Sequence, residues 1–141
     1  MYDMSKLNEV LEYLRNRYDL YCLDLLCEDL EIMEIDLNKS LVYVKNISSN
    51  NISEVMIYIF TKFKIHKVTF ELMDNWTSTF TIDIFDKCDM TNVRYERSSN
   101  EQCRLKFILK EEEEFNPLKE NNSFKKTSYA IIKSIVKYIN Q

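Results

Sequence analysis

The chain has 141 residues, 45% hydrophobic and 30% charged, with a formal net charge of −4, which suits one folded domain and excludes intrinsic disorder. It has no glycine, so P-loops, dinucleotide-binding glycine fingerprints, kinase glycine-rich loops and Gly-x-Ser-x-Gly nucleophile elbows are all excluded. Only five arginines in an acidic chain argue against direct nucleic-acid binding.

The spacing of Leu7, Val10, Leu11, Leu14 and Tyr18 predicts a first helix from about Ser5 to Tyr18. Residues Asp19 to Leu30 read as a second helix, with Tyr21, Cys22, Leu25 and Leu26 on one side, or as the start of a strand, since periodicity does not separate the two. Ile32 to Leu37 and Leu41 to Asn46 are predicted to form a β-hairpin turning at Asn38-Lys39-Ser40. Asn51 followed by Glu54 resembles a capping box, and Val55, Met56, Ile59, Phe60 and Phe63 then predict a further helix.

From residue 67 the period becomes two. Val68, Phe70 and Leu72, then Phe80, Ile82 and Ile84, then Val93 and Tyr95, then Cys103, Leu105, Phe107 and Leu109 predict four antiparallel strands. Lys110 to Asn122, with its run of glutamates and the only proline, reads as an exposed loop. Ser123 to Asn140 is predicted as a helix, with Ile131, Ile132, Ile135, Val136, Tyr138 and Ile139 on its core side and lysines opposite. The expected fold is a single α+β domain over residues 1–141. It has a mainly antiparallel sheet of about five to six strands, with two to four helices packed on one face.

Isoleucine, lysine, asparagine, tyrosine and phenylalanine supply 58 residues, and all have AT-rich codons. The missing glycine is therefore read as coding bias, of the kind found in viral, phage, parasite or low-GC bacterial genomes, rather than a demand for rigidity. Five Asn-x-Ser/Thr triplets, at Asn38, Asn46, Asn51, Asn75 and Asn121, are read as turn chemistry, asparagine standing in for glycine where φ is positive. The four cysteines form no Cys-x-x-Cys pair and are read as free thiols. The first residues lack the apolar core of a signal peptide and no transmembrane stretch is predicted, so a cytoplasmic location is expected, the host cytoplasm if the chain is viral.

Charge is unevenly distributed. Residues 1–37 hold ten acids and three bases, and within them Asp19, Asp24, Glu28, Asp29, Glu31, Glu34 and Asp36 follow one another without a base. Such crowding disfavours the folded state unless solvent or a partner's cations relieve it. Asp24, Glu28, Asp29, Glu31, Glu34 and Asp36, with Tyr18 and Tyr21 as aromatic anchors, are thus the candidate partner-binding residues, joined by Trp76 in a turn. His66 reads as the complement of a helix end rather than a catalytic base. The expected function is non-enzymatic: a small acidic protein that blocks a basic surface of a partner protein, as immunity proteins and viral or phage inhibitors of host defence do. No cofactor, membrane or nucleic-acid partner is expected. The alternative is a metal-dependent hydrolase or nuclease using Asp83, Asp86 and Asp89. A second alternative is an assembly subunit, a homodimer joined through an edge strand.

Overall fold

A computed structural model describes residues 2–18, 20–72 and 78–141. Its α+β fold has helices α1 (Leu7–Tyr18), α2 (Cys22–Ile32) and α3 (Lys125–Ile139). The strands are β1 (Leu41–Lys45), β2 (Met56–Phe60), β3 (Lys64–Leu72), β4 (Ser78–Asp86), β5 (Thr91–Arg97), β6 (Cys103–Ile108) and β7 (Glu112–Phe115). All strand pairs are antiparallel, in two meanders ordered β1-β2-β3-β4 and β5-β6-β7.

Strands β1 and β2, with part of β3, are buried on both sides of the four-stranded sheet. Val42 and Val44 of β1, Ile57 and Ile59 of β2, and Val68 and Phe70 of β3 face α1 and α2, meeting Leu7, Leu11, Leu14, Leu23, Leu26 and Leu30. The alternate residues Tyr43, Tyr58, Phe60 and Ile65 belong to a second core with Leu105 and Phe107 of β6, Phe115 of β7, and Ile131, Ile132 and Ile135 of α3. Phe115 joins the layers: its ring stacks on Tyr43 at 4.0 Å and meets Tyr58 edge-on at 4.7 Å. The strands thus divide between two sheets, and α3 lies in the second core rather than with α1 and α2.

That two-sided burial explains the main departure from the sequence reading. Residues Val55 to Phe63 are not a helix. Asn51 does cap, its side chain accepting the Ser53 N–H at 3.0 Å, but only for one 3-10 turn, Ile52–Glu54. Val55 then turns extended at φ −80° and ψ 132°, and β2 follows. With Ile57 and Ile59 entering one core and Tyr58 and Phe60 the other, the run is apolar at every position and loses its period of two.

Two further differences have similar causes. Ile32 to Leu37 form no strand; α2 runs to Ile32, Glu34 takes a left-handed φ of 62°, and β1 pairs with β2 instead. The segment 110–122 is not an exposed loop, because it contains β7 and buries Glu113, Asn116 and Glu120. Alternation there is carried by Glu113 and Phe115 inward, and a glutamate at an inward position masked it. Among the described residues φ is positive at Glu34, Asn46, Asn92 and Glu101: asparagine takes the left-handed conformation in the turn at Asn46 and at the irregularity within β5 at Asn92, and of the Asn-x-Ser/Thr asparagines described only Asn46 does so.

Candidate functional site

Helix α2 forms because Leu23, Leu26 and Leu30 recur at helical spacing over the sheet, each fully buried. The same period leaves Tyr21, Leu25, Glu28 and Ile32, at i, i+4, i+7 and i+11, on the outward face beside Asp24 and Glu31. Tyr21 is 74% exposed and Ile32 71%, values that place whole apolar side chains in water among carboxylates. Met33 and Leu25 are also exposed. The first-turn Asp24 suits the helix dipole, but the last turn has no base and carries Glu31, whose charge opposes the dipole there.

Within the acidic segment, Asp24 meets Arg15 at 3.1 Å. Among the described residues, Glu28, Asp29, Glu31, Glu34 and Asp36 have no ion pair. Asp36 serves a local turn, accepting the N–H groups of Asn38 and Lys39 at 2.9 and 3.1 Å. Of the two tyrosines, Tyr21 projects outward whereas Tyr18 is half-buried and donates its hydroxyl to the Ser49 carbonyl. Asp19 and Trp76 lie outside the described residues. The stripe expected to hold Tyr21, Cys22, Leu25 and Leu26 together is split: Cys22 and Leu26 are buried with Leu23 and Leu30, while Tyr21 and Leu25 face outward with Ile32, whose phase relative to Tyr21 and Glu28 on a helical wheel was the available signal.

Beyond α2, Glu34 and Asp36 reach an open cleft of about 1290 Å³ at the end of the four-stranded sheet. Its walls include Phe60, Phe63 and Tyr138, and its rim carries Lys39, Lys62, Lys87 and Lys137. Lys87 lies 4.3 Å from the centre of the Tyr138 ring, and burial pushes the Tyr138 hydroxyl up to about 12. Tyr138 donates to the Thr61 carbonyl at 2.7 Å, tying α3 to the β2–β3 turn.

Asp83, Asp86 and Asp89 do not gather into a metal site. Asp83 is in β4 opposite Lys67, Asp86 closes the strand and pairs with Lys64 at 2.5 Å, and Asp89 lies in the following 3-10 turn. Among the described residues no three His, Cys, Asp or Glu side chains come close enough to hold a metal ion. His66 ends no helix: it sits within β3, 6% exposed, with Nδ1 unpartnered, and burial lowers its pKa so that it stays neutral.

A buried polar group joins the two sheets. Lys67 Nζ lies 3.0 and 2.9 Å from the two carboxylate oxygens of Glu113, and the Tyr58 hydroxyl donates to the same carboxylate at 2.5 Å. The Tyr43 hydroxyl sits 2.9 Å from both oxygens of Glu120, which also accepts the Asn116 N–H at 2.7 Å. Burial raises the Glu120 pKa and holds both tyrosine hydroxyls far above their usual range. These groups are closed off and satisfied by one another, so their role is to lock the layers in register.

No protein family, curated protein or solved structure matches this chain. Among the described residues, no helix is long and apolar enough to cross a membrane.

Proposed function

We propose that this chain is a binding protein whose acidic α2 face covers a basic surface of a partner protein. The observation that carries the reading is the pairing of unneutralised carboxylates with exposed apolar side chains on one helical face. Glu28 and Glu31 have no ion pair among the described residues, and Tyr21, Leu25 and Ile32 share their face of α2. A docking face uses the apolar side chains as its centre and the acids for steering. The role fits an inhibitor of the immunity-protein or viral-antagonist type, which occludes a cationic active site or nucleic-acid channel.

The test is affinity capture from source cells with wild-type protein and a Glu28→Lys/Asp29→Lys/Glu31→Lys/Glu34→Lys variant. Circular dichroism first establishes that the variant is folded. The wild type retains a basic protein that elutes with salt, and the variant loses it, with association slowed about tenfold or more. Equal capture and equal association rate by both proteins refutes the reading.

A further inference from the structure

Three segments distant in sequence are tied together around the open cleft. The Tyr138 hydroxyl of α3 donates to the Thr61 carbonyl in the β2–β3 turn at 2.7 Å, and the Lys87 N–H after β4 donates to the Phe63 carbonyl of the same turn at 2.8 Å. These bonds bring Lys62, Lys87 and Lys137 to the lining of one cleft, where Lys39 joins them from the turn before β1.

None of the four lysines has an ion pair among the described residues. Two lie over aromatic rings instead: Lys62 Nζ is 5.2 Å from the centre of Phe63, and Lys87 Nζ is 4.3 Å from that of Tyr138 and 3.3 Å from the Gln141 carbonyl. The acids of the lining are mostly committed elsewhere. Asp86 pairs with Lys64, and Asp36 accepts the N–H groups of Asn38 and Lys39, which leaves Glu34 to answer four lysines. A chain with a net charge of −4 thus carries a local positive potential at this cleft.

The remaining lining selects the kind of anion. Phe60 and Tyr138 are buried in the wall, whereas Phe63 is 68% exposed and offers an aromatic ring for stacking. The lining has no arginine and so no planar fork for a carboxylate. Lysine ammonium groups act as point charges, and several together favour a compact group with more than one negative charge, as phosphate has. Phosphate carried on a peptide is read by arginine clusters, which this cleft lacks. At about 1290 Å³ the cleft exceeds the ~300–1,000 Å³ of ordinary small-molecule sites, so a base, a sugar and a phosphate fit together.

We propose that this cleft binds a nucleoside phosphate, its base stacked on Phe63 and its phosphate held among Lys62, Lys87 and Lys137. Side-chain ammonium groups here take the place of the glycine-rich phosphate loop that the chain lacks. The site goes beyond the acidic-face reading and does not depend on it, since Glu28 and Glu31 take no part in the lining.

Cys88, exposed in the same lining, reports occupancy. Its labelling by a neutral maleimide is followed by mass spectrometry on the intact chain, with each of the four common ribonucleoside monophosphates. At about 5 mM at least one is expected to slow labelling about fivefold or more, the occupancy that a dissociation constant of about 1 mM or below gives. Adenosine and inorganic phosphate at the same concentration slow it less than about twofold. By calorimetry, Phe63→Ala weakens binding about 5- to 100-fold and Lys87→Met/Lys137→Met about tenfold or more, circular dichroism having shown both variants folded. Equal protection by adenosine removes the phosphate from the site, and equal protection by inorganic phosphate shows an adventitious ion only; either overturns the proposal. It is also overturned if no nucleotide protects, if both variants keep wild-type affinity, or if a phosphotyrosine peptide protects at lower concentration. A dimer in light scattering, with Cys88 already shielded without nucleotide, overturns it in favour of a second copy.

Discussion

Replacing Lys67 with methionine tests the reasoning about the inter-sheet polar group most directly. Glu113 is 5% exposed, and Lys67 Nζ within 3.0 Å of both its oxygens is its only cation among the described residues. Methionine keeps the stem of the side chain but leaves the carboxylate with the Tyr58 hydroxyl alone. Breaking a buried pair from one side costs about 3–5 kcal/mol, because an uncompensated charge stays buried. Domains of this size unfold with a free energy of about 7–20 kcal/mol, so the variant is expected to fold. With a urea m-value of about 2 kcal/mol/M, its midpoint falls by about 1.5–2.5 M. Glu113→Gln costs less, about 1–2 kcal/mol, since Gln still accepts from Tyr58 and Lys67, 13% exposed, can reach water. The double variant removes both charges and is expected to be more stable than Lys67→Met alone, a positive coupling in a double-mutant cycle. A Lys67→Met midpoint shift under about 0.5 M, or a double variant as unstable as the summed singles, refutes the account.

Two further outcomes follow from burial. Glu120 has a pKa raised by burial, so the folded state holds its proton more tightly than the unfolded chain. Its contribution to stability is full below the unfolded value of about 4.3 and is lost as pH rises through the higher folded value. Glu120→Gln removes that dependence, so its urea midpoint varies less than wild type's between pH 4 and 7; an unchanged slope contradicts the assignment. Among the four free cysteines, Cys88 is exposed in its 3-10 turn, whereas Cys22 and Cys103 are buried and burial raises the Cys103 and Cys27 thiols. A thiol reagent at neutral pH therefore labels Cys88 first in the native protein, and Cys103 reacting at the same rate is incompatible with this core.

Local pattern alone determined the class of the fold and most of its pieces. α1 and α3 each bury one stripe, and the outer positions of β3 and β4 remain wet on at least one side, so their periods survive in the sequence. The line of acids on α2 was equally legible, because exposed charge is written residue by residue. Only the tertiary structure decided β2, where burial on both sides erased the period, and β7, where Glu113 is inward because Lys67 and Tyr58, 46 and 55 residues away in sequence, receive it. It also separated Tyr21 from Tyr18, the one left in water and the other tied to Ser49. The place of β4 at the end of its sheet, among the described residues, is likewise a property of neighbours: sheet order is not encoded in a one-dimensional pattern.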